Sequence, residues 1–192
     1  MSWVEIVTVI LGLIYLILAI RENIWCWIFG IVSSMGSIYL FFTGKLYAES
    51  ILYFYYVLAG IYGWYSWSQK NEKQENLEIQ IWPLSRHLFG ILACILLSLA
   101  LAQVLATYTD AQQPYVDAHT TMFSFFATYL VTRKELYNWW YWIVIDAVSV
   151  WLYADRGYFL YAALMFFYTF LAISGLMNWM KSYNQNKISL SE

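Results

Sequence analysis

The chain is written twice. Shifted by 112 positions, Trp3 falls on Tyr115, Glu5 on Asp117, Thr8 on Thr120, Arg21 on Arg133, Gly63 on Gly175 and Trp67 on Trp179. Small slips interrupt the register. Asn23-Ile-Trp25-Cys-Trp27 aligns with Asn138-Trp-Trp140-Tyr-Trp142 at 115, and Gly44-Lys-Leu-Tyr47 lies near Gly157-Tyr-Phe-Leu-Tyr161 at 113 to 114. A duplication restricts the fold more than any single residue does, because the second copy has to insert as the first does. Two such copies can enclose a path along their pseudo-symmetry axis, as in many secondary transporters.

Each copy is hydrophobic enough for three membrane spans. Of 192 residues, 62% are hydrophobic and only 11% charged, against about a quarter charged in a soluble domain. Seven apolar stretches recur, at 3–20, 24–42, 46–67, 87–107, 115–132, 137–154 and 158–180, each long enough for a bilayer core of about 30 Å. The first has neither a basic leader nor a small-residue cleavage site, so it reads as a retained span. Three spans leave the chain on the opposite side, so an odd linker helix must carry it back before the second copy begins. The expected fold is an all-α membrane protein with seven transmembrane helices in a three-plus-one-plus-three parallel duplication. Its parts are a first module at 1–68, a loop and linker helix at 69–112, a second module at 113–181 and a tail at 182–192.

Charge sets the expected orientation. Arg21, Lys70, Lys73, Arg86, Arg133, Lys134, Lys181 and Lys187 fall on one side of such a bundle, and only Lys45 and Arg156 on the other. The positive-inside rule puts the first group and the C-terminus in the cytoplasm and the N-terminus outside. A net charge of −2 gives no reason to expect a nucleic-acid partner. Cys26 and Cys94 lack ligand spacing and read as inert buried thiols. Enzyme signatures and phosphate-cradling loops are missing, so neither a catalytic cofactor nor a metal is expected. Transport would run on a gradient or on downstream capture of the solute.

Ionisable groups are costly inside a membrane, by about 2.5–3.5 kcal/mol at a helix centre. Asp146 is the clearest example, and Trp139, Trp142, Asp146, Ser149 and Tyr153 share one helical stripe. Aromatics, an acid and a hydroxyl on one face suit the wall of a polar cavity. The structural alternative is an Asp paired with a hydroxyl across helices. Asp117 opens a second polar face that continues through Thr121, Ser124 and Thr128, and Glu5 is its repeat mate. A third stripe holds Glu49, Tyr53, Tyr56, Gly60, Gly63 and Trp67, matched by Tyr161, Met165, Tyr168, Ala172, Gly175 and Trp179. Gly60, Gly63, Ala172 and Gly175 fit close helix packing better than ligand contact. Trp25, Trp64, Trp67, Trp82 and Trp179 need be only an interfacial aromatic belt. His87 and His119 read as structural.

Three strings carry a family resemblance: Leu46-Tyr47-Ala48, Ile61-Tyr62-Gly63-Trp64-Tyr65-Ser66-Trp67 and Thr132-Arg133-Lys134-Glu135-Leu136-Tyr137-Asn138-Trp139. They resemble the PnuC family of vitamin transporters, over 3–67 and 115–180 and weakly over the linker. The resemblance implies facilitated diffusion of nicotinamide riboside, thiamine or a related compound, trapped by a cytosolic kinase. It also implies a homotrimer in the lipid bilayer and an architecture related to SWEET sugar carriers. The nicotinamide riboside branch tends to carry Gln and Asn at positions matching Tyr53 and Gly60, and Asn at Asp146. Amides suit ribose hydroxyls by offering donors and acceptors together; here two are lost and the third is an acid. That pattern favours thiamine, a flat cation that could stack on Trp142 or Tyr53 while Asp146 balances its charge. Nicotinamide riboside, or a receptor subunit that binds without transporting, are the alternatives. The expected substrate-binding residues are Asp146, Trp142, Trp139, Tyr53, Tyr56, Ser149, Asp117, Thr121, Ser124 and Glu49.

Overall fold

The computed structural model describes residues 3–43, 47–69, 77–109, 113–155, 157 and 159–189. Among them run seven α-helices: α1 Trp3–Ile20, α2 Cys26–Thr43, α3 Tyr47–Ser68, α4 Leu84–Tyr108, α5 Pro114–Thr132, α6 Asn138–Asp155 and α7 Phe159–Ser189. Each matches one of the seven apolar stretches. β-structure among the described residues is confined to one bridge between Gln80 and Glu135. By length and composition alone, α1, α4 and Tyr161–Ile188 of α7 could cross a membrane. Helices α3 and α6 are richer in Tyr and Trp, which lowers their mean hydropathy without making them polar.

Local chemistry sets the helix ends. After α1, the Asn23 carboxamide oxygen accepts the Trp25 N–H at 3.0 Å, an Asx turn that launches α2. Pro114 opens α5 at a position where its missing N–H is not needed. Gly157, between α6 and α7, sits at φ 78, which a side chain would disfavour. Helix α7 continues to Ser189, well past the expected end of its span near 180. Neither Gly nor Pro interrupts that stretch, and 31 residues at about 1.5 Å each exceed a core of about 30 Å. The last turns therefore have to leave the apolar layer.

Helix α4 has the polarity of a lipid-facing element. Its buried residues His87, Gly90, Cys94, Ser98 and Ala102 form one stripe, all small but the first. Leu84, Leu88, Phe89, Leu92, Leu96 and Leu97 are exposed. A water-soluble helix would be arranged the other way round. The small stripe admits α5: the Phe126 ring presses on Gly90, and the Cys94 thiol donates to the Met122 carbonyl at 3.6 Å.

The helices group into two compact units. The first is Met1–Gln80 with Val131–Leu136 and Ser174–Glu192; the second is Ile81–Leu130 with Tyr137–Ile173. In the first, α1, α2 and α3 interlock through glycines. Tyr15 and Thr8 of α1 lie over Gly30 and Gly36 of α2, and a Cβ on Gly60 of α3 would stand 2.6 Å from Ile31 Cγ1. A Cβ on Gly63 would strike the Trp27 ring. Packing is thus what Gly60 and Gly63 provide, as their spacing suggested.

Candidate functional site

In the second unit, α6 carries the polar stripe that the sequence outlined. Asp146 is 7% exposed and Trp139 1%; Ser149 is buried as well, and Trp142 is half-buried. Tyr168 of α7, the repeat mate of Tyr56, lies within electrostatic range of the Asp146 carboxyl. That carboxyl makes no hydrogen bond and no ion pair among the described residues. The structural alternative, a hydroxyl paired across helices, has no such bond to Asp146 among the described residues, and the hydroxyl on the same face of α6 is committed elsewhere. Ser149 Oγ donates instead to the Ile145 carbonyl at 2.8 Å.

The same holds on α5. Thr121 Oγ1 donates to the Asp117 carbonyl at 2.7 Å and Thr128 Oγ1 to the Ser124 carbonyl at 2.8 Å. These hydroxyl protons stay inside their own helix, leaving oxygen lone pairs as acceptors. Ser124 and Thr128 are buried, while Thr121 and Asp117 are half-buried, with Asp117 in the first turn of α5. A carboxylate there is favoured by the helix dipole. Of the other expected residues, Tyr53 and Tyr56 belong to the first unit. Both are half-buried, with rings 5.5 Å apart and edge-on. The side chain of Glu49 lies outside the described residues. A groove of about 590 Å³ on the second unit, lined by Ile91, Val116, Phe123, Trp140 and Val144 among others, includes none of the expected site residues.

His87 and His119 each have a neighbour within the second unit. His87 Nδ1 and the Tyr141 hydroxyl are 3.0 Å apart with the rings stacked. His119 Nδ1 is 2.7 Å from the Tyr115 carbonyl.

The aromatic-belt expectation fails for two residues. Trp67 and Trp179, at 4% and 0% exposure, are buried rather than interfacial. Trp67 Nε1 donates to the Val131 carbonyl and Trp179 Nε1 to the Ala19 carbonyl, each at 3.1 Å. A buried indole N–H needs such a partner, and the paired spacing 67/179 and 19/131 was the signal that could have shown it. Trp25, exposed and edge-on to Trp64, keeps the belt character. Beside the two buried indoles, Lys134 Nζ pairs with Glu22 Oε2 at 3.1 Å. These two residues are the positive-φ residues other than glycine among those described, at φ 55 for Glu22 and 48 for Lys134. Each costs about 1–2 kcal/mol in backbone strain.

A family model described as nicotinamide mononucleotide transporter matches residues 2–181. The nicotinamide riboside transporter PnuC of Escherichia coli (strain K12) is 29% identical over 207 residues, spanning 95% of this chain and 87% of the relative. The riboflavin/roseoflavin transporter RibM of Streptomyces davaonensis is 25% identical over 185 residues, 92% and 84% of the two chains. A crystal structure of the vitamin B3 transporter PnuC superposes with a TM-score of 0.78 at 21% identity, covering 96% of this chain and 83% of that one. The class is therefore a multi-pass membrane transporter of a small vitamin-type solute, and not an enzyme. Within that class, the chain belongs to the nicotinamide mononucleotide transporter family, the PnuC family that its Tyr-Gly-Trp and Thr-Arg-Lys strings resemble. Neither relative's name mentions thiamine.

Proposed function

We propose that the protein carries a flat, cationic vitamin across the bacterial inner membrane by facilitated diffusion, with thiamine as the preferred solute. One observation carries the reading: Asp146 is buried in the middle of a membrane helix without a hydrogen-bond or ion-pair partner among the described residues. An isolated buried carboxylate is strongly disfavoured unless it takes up a proton or a group of opposite charge comes to it. A thiazolium ring offers that charge together with a surface for Trp142, whose indole is half-buried and has no ring partner among the described residues. Such a cation–π contact contributes about 0.5–2 kcal/mol. Nicotinamide riboside is the second reading. Its pyridinium is cationic too, and the similar Escherichia coli protein is named for it. Neutral riboflavin has no charge for the acid to balance.

The wider reading follows from the membrane setting. With the N-terminus outside and the basic loops in the cytoplasm, an inside-negative potential draws a permanent cation inward. Each 100 mV is worth about 2.3 kcal/mol per charge, or roughly fifty-fold in concentration. A cytosolic kinase would then trap the solute, and three copies would assemble with one path each. The test is uptake of radiolabelled thiamine into proteoliposomes, with nicotinamide riboside and riboflavin as competitors. Saturable uptake that nicotinamide riboside inhibits more weakly than unlabelled thiamine does is the expected result. If the riboside is taken up and thiamine neither enters nor competes, the preferred solute is wrong. Binding without equilibration would identify a receptor subunit instead.

A further inference from the structure

We infer that the ends of α1, α3 and α5, with the stretch of α7 around Trp179, form the inner gate of this carrier, closed in this structure and opened by parting Glu22 from Lys134. The inference rests on the carrier reading above and gives a role to the Thr-Arg-Lys string, which solute binding leaves without one. All of its parts lie in the first compact unit.

The parts come as repeat mates, and their bonds are crossed. Trp67 corresponds to Trp179, and Ala19 to Val131. Trp67, from the first copy, donates to Val131 of the second, while Trp179, from the second, donates to Ala19 of the first. Each copy thus holds the other by the last turn of its first helix. The two indoles stand 6.1 Å apart at the centre, and Asn178 Nδ2 adds a bond to the Ile20 carbonyl at 2.6 Å. Glu22 and Lys134 are mates as well, 112 positions apart. The duplication has given them opposite charges, so that one position pairs with its own copy. Lys134 Nζ also sits 4.8 Å from the centre of the Trp67 ring, linking the ion pair to the indole pair.

What marks this joint as movable is the kind of contact it uses. Ile31 against Gly60 and Trp27 against Gly63 are interdigitated joints that cannot part without opening voids. The clasp, although its indoles are buried, is held between the two copies by three directional hydrogen bonds and one ion pair, whose lysine side chain keeps 9% of its surface exposed and whose glutamate keeps 22%. Water entering an opened joint can take over each of these bonds, so that most of their energy is recovered, which suits an element with two accessible states. One side of the clasp is anchored. Gln80 N–H donates to the Lys134 carbonyl at 3.0 Å, Leu136 N–H donates to the Gln80 carbonyl at 2.9 Å, and Gln80 Nε2 donates to the Arg133 carbonyl at 2.6 Å. The Lys134 loop is thereby strapped in place, so opening separates it from Glu22. Left-handed backbone at both charged residues fits a strained switch.

The test replaces both residues by cysteine, Glu22→Cys with Lys134→Cys, in a protein carrying Cys26→Ala and Cys94→Ala. A short, reducible bifunctional thiol reagent then bridges the pair. Bridging is expected to cut proteoliposome uptake of thiamine or nicotinamide riboside at least tenfold. Binding of the same solute should stay within twofold, and reductant should restore uptake. Uptake at the unbridged rate with the bridge in place would overturn the gate alone. An unbridged protein that binds solute and never equilibrates it would overturn the carrier reading, and the gate with it. A second set of variants works without cysteines. Glu22→Lys and Lys134→Glu should each change uptake at least threefold while binding persists, and the double exchange should bring it back within twofold of the native rate. A double exchange no better than its parents overturns the gate.

Discussion

In the first copy of the repeat, Trp27 is buried against Gly63, and a half-buried Ile31 packs on Gly60. In the second copy, the position of Trp27 holds a half-buried Trp142, and the position of Ile31 holds Asp146. Ser34 and Ser149 correspond and are both buried. The two α2-type helices thus share a scaffold but differ at the residues that face their partners. Where the first copy fills space with an indole and an isoleucine, the second keeps an acid and an uncommitted ring. A duplicated bundle needs a rigid body as much as it needs a recognition surface, and in the proposed reading the acid and ring of the second copy contribute to the latter.

The largest expected effect breaks the rigid side. Gly63→Ala drives a methyl into the Trp27 ring, and overpacking of a well-filled joint costs about 1–3 kcal/mol. The upper half of that range is expected, because the ring is also held edge-on by Trp67 at 5.3 Å. Thermal unfolding in detergent measures it. Adding Trp27→Phe should recover part of the loss; if Gly63→Ala alone leaves the midpoint unchanged, the joint is not tight.

Next comes the recognition side. Asp146→Asn keeps the shape and removes the charge, so thiamine affinity should fall at least tenfold, about 1.4 kcal/mol, with folding intact. Equilibrium binding and a melting curve on the same sample separate the two. Unchanged affinity would return Asp146 to a structural role. The contrast sharpens one position earlier on the stripe. Trp142→Leu should weaken binding roughly fivefold, about 1 kcal/mol of ring contact, and leave stability nearly untouched. Its mate Trp27→Phe should lower stability and spare affinity. Similar behaviour of the two indoles in both assays would erase the distinction between copies.

Much of this was legible in the residues. Seven apolar stretches became seven helices, because membrane helices satisfy their backbone internally and need no partner to form. The stripe Trp139-Trp142-Asp146-Ser149 was readable because helical spacing fixes which side chains share a face. Trp67 and Trp179 were misjudged for a physical reason. An indole near a span end has the same composition in a lipid interface as in a protein joint, and only tertiary structure says which carbonyl its N–H meets. Lys134 counted only among the cytoplasmic-side charges, and its partner was hidden for the same reason. The offset of 112 between Glu22 and Lys134 was in plain view, but opposite charges on mates do not reveal contact until the two copies are folded.

The smallest expected effect is the most diagnostic for the hydroxyls. Ser149 Oγ donates to the Ile145 carbonyl, a bond within one turn that is close to neutral for the helix. Ser149→Ala removes that bond, and the carbonyl retains its regular helical partner. Affinity for thiamine should therefore change less than twofold, as should the effect of Ser34→Ala, its mate in the first copy. The result would differ if the hydroxyl rotated from its own helix onto the solute. The bound state would then contain a hydrogen bond that the free state lacks, and its loss would leave a buried acceptor on the ligand unmet, at about 1–3 kcal/mol. A drop of fivefold or more for Ser149→Ala, with Ser34→Ala silent, would add a hydrogen-bond donor to the recognition surface.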